Sequence, residues 1–234
     1  HPYYDDFSTP TFDAKHNLIK GGSWISTGNE ATRDSRYAFR RHFYQHAGLR
    51  YVESDRAVQV SMDVYETDDA LCQYCEFHYG EPALGVPNYP ERCARRCEAL
   101  MDGRPTRRAL DLGCAVGRAT FELARTFDAV TGLDFSANFI RLAIDMLEKG
   151  YIQYTRPEEG DLVTFRERTR AELGLENLHG EVDFYQADAC NLKALYRDYD
   201  LVFAGNLIDR LYTPRGFLES IHERILPGGL LVLA

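Results

Sequence analysis

The sequence has no long apolar run and no excess of positive charge, and each absence excludes a class of protein. No stretch reaches the ~18 consecutive apolar residues that a membrane span requires, and no signal peptide is visible. The 234 residues contain 27 Lys and Arg against 36 Asp and Glu, a formal net charge of −9. Because proteins that follow phosphate backbones are usually basic, we expect no nucleic-acid partner and no membrane association.

Internal repeats and low-complexity tracts are also missing, which leaves an ordinary globular chain. Hydrophobic residues make up 44% of it, enough for a core that needs neither disulfides nor metal. Without a secretory signal, the six cysteines are expected to be reduced thiols in a cytoplasmic protein. The chain starts at His1 and its last residues, 230–234, read as the middle of a strand, so we expect a piece of a longer protein.

Strand-like and helix-like segments alternate in the C-terminal half. Helix-capping residues support the pattern, with Ser136 before and Gly150 after one helix, and Thr213 with Pro214 at the start of another. The predicted strands are 108–114, 129–134, 182–189, a segment from 199, and 230–234; the predicted helices are 117–127, 136–150 and 213–226; a charged insertion is expected at 151–180. This order predicts an α/β fold with a parallel, doubly wound sheet.

The N-terminal half is less regular. Residues 1–52 are rich in Gly, aromatics and Arg and are expected to be loop-rich. Residues 53–64 alternate apolar and polar, which indicates a short strand or a linker, and a helical pattern at 89–101 is ended by Pro105. We therefore predict three parts, which are 1–52, 53–105 and 106–234.

A glycine-containing turn, DLGCAVG at 111–117, joins the first strand of the last part to its first helix. Gly113 and Gly117 let the backbone approach a ligand closely, and a helix N-terminus offers free N–H groups. The run lacks the G-x-G-x-x-G spacing of dinucleotide sites, and it contains an acid, Asp111. It therefore favours a ligand that carries an ammonium group and no phosphate, although the turn alone would also fit a tight structural connection.

Two further acids end the next two predicted strands. Asp134 closes the second strand and could accept hydrogen bonds from both hydroxyls of a ribose. Asp188, followed by Ala189, closes the third strand and could accept a hydrogen bond from an adenine amino group. Each acid alone would also fit a helix cap. Because the carboxyl ends of parallel strands share one edge, we expect the three acids to meet in one crevice.

With these residues in this order, 106–234 resembles the class I methyltransferases that depend on S-adenosylmethionine (SAM), a Rossmann-like family. The resemblance implies SAM as the cofactor and a sheet truncated after its fifth strand, since the family sheet has seven. The implied cofactor contacts are Asp111, Gly113, Cys114 and Gly117 around the methionine end, Asp134 and Phe135 near the ribose, Asp188 and Ala189 near the adenine, and Asn206 and Leu207 near the methyl group.

The first part carries a second resemblance. GGSW at 21–24 and RYAFRRHFYQHAGLRYV at 36–52 resemble the tail of the formylglycine-generating-enzyme-like (C-type-lectin-like, sulfatase-modifying-factor-like) domain. That fold also occurs in iron-dependent sulfoxide synthases, and in the ovothiol-biosynthesis family a histidylcysteine sulfoxide synthase is fused to a mercaptohistidine N-methyltransferase. The order of parts here, and the joining segment 64–90, are similar to that fusion. The resemblance implies methylation of the imidazole of a thiol-bearing histidine, with the upstream synthase domain of the same chain as partner.

For such a small amino-acid substrate, the segment after the fourth strand offers reactive groups. Asp209 is the candidate catalytic base or substrate orienter, Arg210 could hold a carboxylate, and Tyr212 could hydrogen-bond. The alternative for Asp209 and Arg210 is a solvated pair at the start of a helix. Residues ahead of the sheet could cover the site as a lid, or form a structural cap. These are His78, Tyr79, Asn88 and Tyr89, with Tyr65 and Tyr74 in a similar role.

We expect no metal site in this part of the protein. The His-x-x-x-His-x-Glu motif that holds iron in the synthases is missing, because Gly48 follows His42 and His46 where Glu would stand. Iron is therefore expected only in the upstream synthase. The pairs Cys72–Cys75 and Cys93–Cys97 have zinc-like spacing, but the second pair also fits the buried face of a helix.

Three functions remain open from the sequence. The first is N-methylation of a thiol-imidazole amino acid, the second is methylation of another small metabolite, and the third is a non-catalytic SAM-binding scaffold. The fusion order favours the first, because a general methyltransferase has no need of a synthase-like tail. The retained acids at 111, 134 and 188 count against the third.

Overall fold

A short antiparallel ribbon, β1 (His16–Lys20) paired with β2 (Arg36–Arg40), is the described part of the first of two structural units, residues 1–61. The computed structural model describes residues 16–20, 36–40, 67–82, 85–86, 88–159 and 162–234. The run GGSW, the pair His42 and His46, the predicted strand or linker at 53–64, and Tyr65 lie outside the described residues. The synthase-like nature of the first part therefore stays a prediction.

The second unit, residues 62–234, contains the sheet. Its described helices and strands in chain order are α1 (Asp68–Tyr79), α2 (Tyr89–Leu100), β3 (Arg108–Leu112), α3 (Arg118–Leu123), β4 (Ala129–Asp134), α4 (Ala137–Lys149), β5 (Tyr151–Glu159), β6 (Leu162–Thr169), β7 (Glu181–Gln186), β8 (Tyr199–Ala204), α5 (Pro214–Ser220) and β9 (Ile225–Leu233). Among these described helices, none combines the length and the apolar character that crossing a membrane requires.

Five strands form one parallel sheet in the order β7-β4-β3-β8-β9. Residues alternate between its two faces, as the period of a strand dictates. Ala109 and Phe203 pack on the face that α2 and α3 cover, whereas Leu110 and Val202 pack on the face that α5 covers. Both faces are therefore buried, and the predicted doubly wound α/β fold is confirmed.

The sequence predicts β4 and α4 closely, whereas α3 ends at Leu123 instead of 127 and β7 ends at Gln186 instead of 189. The bounds of β4 are those predicted, and α4 begins after Ser136, whose hydroxyl accepts a hydrogen bond from the N–H of Phe139 at 3.1 Å. Gly150 ends α4 in the left-handed conformation, with φ of 80°, which glycine adopts without steric cost.

The predictions for the last helix and strand need correction. Pro214 does occupy the first turn of α5, but the side chain of Thr213 makes no capping hydrogen bond. The helix ends at Ser220 instead of 226, and residues 221–224 form a 3₁₀ turn. Residues 227–229, predicted as a turn before the strand, lie within β9. They form an irregularity in the strand pairing. Tyr199 of β8 pairs with Ile225 and Leu201 pairs with Leu230, so residues 226–229 are left out of the ladder, and Gly228 among them has φ of 84°.

Helix α1 was not predicted, and Asn88 connects it to α2. The Oδ1 atom of Asn88 accepts a hydrogen bond from the N–H of Glu91 and caps the start of α2. Its Nδ2 atom donates to the carbonyls of Phe77 and His78 at 2.9 and 3.0 Å, in the last turn of α1. One side chain therefore satisfies both helix ends, and this fixes the direction of the chain between them.

The expected insertion after α4 is an antiparallel hairpin in which β5 pairs with β6. Its root is packed against the main core through Ile152 and Tyr154, which are buried in the cluster formed with α1 and α4. Its far end is exposed, with Phe165 at 83% of its maximal surface. The ordered hairpin therefore adds a wall beside α1.

Candidate functional site

The loop after β3 has the backbone shape that the sequence predicts. Gly113 and Gly117 have φ of 71° and 90°, and Ala115 between them has φ of 47°. An added Cβ at Gly117 would lie 2.6 Å from the ring of Phe184, so only glycine allows this close approach of loop and strand. Ala115 was not singled out from the sequence, because a left-handed alanine leaves no mark in composition or periodicity.

Asp111 lies beneath this loop. Its carboxyl is 1% exposed and accepts a hydrogen bond from the hydroxyl of Thr120 at 2.7 Å. Burial raises the pKa of Asp111 to about 7; the Thr120 hydrogen bond opposes this, and the charge of Asp134 adds to it. Asp111 is therefore a buried partner of Thr120 in α3 and presents no exposed oxygen above the loop.

Asp134 ends β4 and holds the loop. Its Oδ2 atom accepts a hydrogen bond from the N–H of Ala115 at 2.8 Å, and its Oδ1 atom accepts one from the N–H of Ser136 at 2.8 Å. The N–H groups of Gly113 and Cys114 donate to the carbonyl of Leu133. The loop and the end of β4 thus form one hydrogen-bonded unit. Asp134, which the sequence predicts to accept hydrogen bonds from the ribose, is part of this unit.

The predicted adenine end lies along the same edge, past β7. The Oδ1 atom of Asp188 accepts from the N–H of Cys190 and caps a 3₁₀ turn that begins at Ala189, while Oδ2 accepts from the hydroxyl of Tyr212 at 2.7 Å. That hydrogen bond raises the pKa of Tyr212 to about 12. Phe135 is 61% exposed and offers an apolar surface beside Asp134.

The predicted methyl end follows β8. The side chain of Leu207 faces the loop, where an added Cβ at Gly113 would lie 3.0 Å from its Cδ1. Asn206 has φ of 50°, and its Oδ1 accepts a hydrogen bond of 3.4 Å from the hydroxyl of Tyr89 in the first turn of α2. The segment that follows β8 and the start of α2 therefore meet at this point.

Asp209 and Arg210 form an exposed pair in a 3₁₀ turn after β8. The Nε atom of Arg210 lies 3.2 Å from Oδ2 of Asp209, and the two side chains are 61% and 63% exposed. The proposed catalytic role of Asp209 stays a prediction. The structure places Tyr212 on Asp188, at the predicted cofactor end of the edge, although the sequence assigns it to the substrate.

Three predicted substrate residues lie in the structural cap. His78 is buried, and its Nδ1 atom accepts from the N–H of Arg118 at 3.4 Å; burial and the Arg118 charge lower the pKa of His78 to about 3. Tyr79 is fully buried and donates its hydroxyl to the carbonyl of Val116. With Asn88 serving as the shared helix cap, the side chains of His78, Tyr79 and Asn88 hold α1 against the loop.

Ion pairs tie the same helices together. Arg118, 6% exposed, has its guanidinium 2.8 Å from Glu122 and 2.7 Å from Glu91. Because each charge is matched, the group forms a structural link between α2 and α3. Sequence spacing reveals only the pair at positions 118 and 122; the contact with Glu91 depends on the fold.

The cysteine pairs lie in separate environments. Cys75 and Cys97 are buried in different core clusters, and Cys72 lies 3.3 Å from the hydroxyl of Thr155. The predicted place of Cys97 on a buried helix face is confirmed. Within the ranges that the structure describes, no three His, Cys, Asp or Glu side chains converge as a metal site would require.

The fold and this edge define a Rossmann-like α/β domain. A family model described as a methyltransferase domain matches residues 110–231, and the chain belongs to that family. No curated protein matches this sequence. These comparisons, together with the sheet, give the protein the fold of the SAM-dependent methyltransferases.

Solved structures with similar folds include three methyltransferases. A phosphoethanolamine N-methyltransferase from Haemonchus contortus, bound to phosphomonomethylethanolamine and S-adenosylhomocysteine, is 18% identical with a TM-score of 0.51, covering 73% of this chain and 33% of that one. A TehB-like enzyme from Corynebacterium glutamicum is 21% identical (TM-score 0.42; 64% and 63% covered). A SAM-bound amino pentose methyltransferase from Micromonospora echinaspora is 21% identical with a TM-score of 0.43, covering 63% of this chain and 50% of that one. This chain thus covers less than two thirds of the length of each of these three proteins.

The residues at the edge fit SAM. Asp134 ends β4 and Asp188 lies two residues beyond β7, whereas Asp111 is buried at the end of β3, so the predicted crevice of three acids is open to a ligand at most at Asp134 and Asp188. The loop has the left-handed torsions of a close backbone approach. An exposed aromatic at Phe135 suits a flat base. Donors and acceptors of this kind match an ammonium group, a ribose and an adenine, and they provide no cation for a phosphate.

Proposed function

We propose that this chain carries a SAM-dependent N-methyltransferase that methylates the imidazole of a thiol-bearing histidine in ovothiol biosynthesis. The observation that supports it most is the unit of loop 113–117 and Asp134, which the hydrogen bond to Ala115 holds together at the strand edge. The substrate rests on the sequence resemblance of residues 21–90 to the fused synthase family. We further propose an upstream iron-dependent synthase domain in the same, cytoplasmic, protein.

The chain's own residues would bind and orient the reactants. Asp134 and Asp188 would hold the ribose and the adenine, and the Gly113–Gly117 loop would approach the methionine end. When bound there, SAM supplies an electrophilic methyl group on a sulfonium, so the protein mainly needs to position the attacking nitrogen. Asp209 would take the ring proton, a contribution of about 10²- to 10⁴-fold where a general base is used.

Cofactor binding is tested by calorimetry with SAM on three proteins. Wild type is expected to bind, and Asp134→Asn to bind about tenfold or more weakly, because one charged acceptor is lost. Asp183→Asn, an exposed acid on β7 away from the strand ends, is the matched control and should bind like wild type. Equal affinity in all three proteins would remove Asp134 from the cofactor site.

Methyl transfer is tested with mercaptohistidine, following the methylated product by mass spectrometry. Asp209→Asn is expected to lower kcat about 10²-fold or more, with cofactor affinity unchanged. The control is Asp198→Asn, because Asp198 forms an equally exposed pair with its neighbour Arg197, 61% and 68% exposed, just before β8. If wild type binds SAM but methylates only other small metabolites, the histidine substrate is wrong and the methyltransferase assignment stands.

A further inference from the structure

A cavity of about 500 Å³ lies between α1 and the β5 strand of the hairpin, within the second unit. Its size is that of small-molecule sites. Among the described residues, the wall is formed by α1, by residues 80–82, 86 and 88 before α2, by Tyr89 in its first turn, and by β5. The residues that carry the argument are Cys72, Glu76, Phe77, Glu81, Tyr89 and Arg156.

Two aromatic rings form a flat part of the wall. Phe77 and Tyr89 have ring centroids 5.8 Å apart, tilted by 32°, and Phe77 is 45% exposed although it lies beside the core. Exposed aromatics in a cavity of this size suit a planar group, which gains from stacking on them. The cavity therefore favours a ligand with a small aromatic ring.

Charges of both signs line the remaining wall. The carboxylates of Glu76 and Glu81 are 32% and 75% exposed, and the guanidinium of Arg156 is 37% exposed. Arg156 contacts Glu76 at 3.6 Å and Glu158 at 2.6 Å, and partly exposed pairs of this kind are weak enough for a ligand to replace. A ligand with one ammonium and one carboxylate complements this wall.

Tyr89 connects the cavity to the candidate active site. Its ring lines the cavity, while its hydroxyl donates to Asn206, which follows β8 near the predicted methyl position. A molecule seated against Tyr89 would thus have one end close to the cofactor edge. The cavity thus reaches, through Tyr89, the end of β8 where the sequence resemblance predicts the methyl group.

We propose that this cavity binds the methyl acceptor, a zwitterionic amino acid whose flat ring lies on Phe77 and Tyr89. The assignment rests on the proposed methyltransferase function. Glu76 and Glu81 hold the ammonium group, and Arg156 holds the carboxylate.

The first experiment separates acceptor binding from chemistry by kinetics with mercaptohistidine. Phe77→Ala and Glu81→Gln are each expected to raise KM about tenfold, with kcat and SAM affinity close to wild type. Phe165→Ala and Glu148→Gln are matched controls, exposed on β6 and on α4, and should leave KM unchanged. Unchanged KM in both cavity variants would overturn the proposal while leaving the methyltransferase assignment intact.

The second experiment needs neither SAM nor turnover. Cys72 lines the cavity and is partly exposed, so N-ethylmaleimide labelling mapped by mass spectrometry reports its occupancy; Cys190, which is also partly exposed but follows β7 and does not line the cavity, is the internal control. L-histidine is expected to slow labelling of Cys72 and not of Cys190, and histamine and imidazole propionate, which each lack one charge, should slow it less. Absence of protection by L-histidine would overturn the proposal whether or not the protein binds SAM.

Discussion

At the scale of single residues, Asp111 and Asp200 show how neighbours set the behaviour of a buried carboxyl. Asp111 has one hydroxyl partner, and burial leaves its pKa near 7. Burial also acts on Asp200, but hydrogen bonds from the side chain of Arg107 and from the N–H of Arg108 lower its pKa overall. The fold therefore favours the protonated form of the first acid and the charged form of the second.

These opposite shifts predict opposite effects of amide substitution. Between about pH 4 and 7 the native protein binds more protons at Asp111 than the unfolded chain does, so this group lowers stability as pH rises. Asp111→Asn should match wild type below pH 4 and exceed its free energy of unfolding at pH 8, by at most about 4 kcal/mol. Asp200→Asn should be less stable than wild type at pH 8. Urea unfolding across this pH range measures both, and a pH-independent difference for Asp111→Asn would contradict the argument.

Ala115 gives a second prediction at this scale. Its φ of 47° costs a residue with a Cβ about 1 kcal/mol, so Ala115→Gly should keep or raise stability by up to about 1 kcal/mol. Ala109→Gly, at an equally buried position in β3, should lower stability by about 1 kcal/mol or more. Thermal unfolding compares the two; a loss at position 115 equal to that at 109 would show that the left-handed alanine is not strained.

The positions of Asp111 and Asp134 at the ends of their strands could be predicted from the sequence, because strand ends and glycine spacing mark them. Their roles toward a cofactor, like that of Asp188, stay predictions. The hydroxyl of Tyr79 on the loop and the bond between Tyr212 and Asp188 could not be predicted, because they join segments far apart in the chain. Tertiary packing alone decides such contacts.

At the scale of secondary-structure elements, α4 and α1 show why one helix is predictable and another is not. In α4, Ser136 and Gly150 frame an amphipathic run, and every signal agrees. In α1, the buried face includes Cys75, His78 and Tyr79, which do not read as an apolar stripe. His78 and Tyr79 on that face contact the loop and the first residue of α3 through polar atoms. Polar residues at these positions make the apolar pattern of α1 harder to recognise in the sequence.

The double cap at Asn88 makes a prediction for these elements. Asn88→Ala removes one acceptor for α2 and two donors for α1, so it should cost about 2 kcal/mol or more in the free energy of unfolding. Asn88→Asp keeps the acceptor and should cost less. Ser136→Ala, an ordinary cap at α4, should cost about 1 kcal/mol in the same denaturation experiment. Equal losses for Asn88→Ala and Ser136→Ala would show that α1 does not depend on Asn88.

At the scale of the whole molecule, the sheet separates two hydrophobic layers. Ile140 of α4 packs in one core cluster, and Ile221 after α5 packs in another on the opposite face. The alternation of strands and helices predicts this sandwich, because a parallel sheet must be covered on both sides. The hairpin and α1 were not predicted, since their places depend on contacts outside the alternating pattern, whereas α2 follows the helical pattern predicted at 89–101.

Separate layers predict additive effects. Ile140→Val and Ile221→Val should each lower the free energy of unfolding by about 0.5–1.5 kcal/mol. The double variant should lose the sum within about 0.5 kcal/mol, because the two side chains share no contacts. Urea unfolding of the four proteins measures this; a coupling energy above 1 kcal/mol would mean that the sheet transmits strain between its faces.

The β5–β6 hairpin begins and ends with residues that face each other across the two strands, Tyr151 opposite Thr169. Its outer residues can therefore be lengthened, shortened or exchanged without moving the two points where the hairpin joins α4 and the segment that leads to β7. Since β5 forms one wall of the cavity and none of the strand edge, evolution or an engineer could graft a new hairpin to change acceptor preference and keep the cofactor site intact.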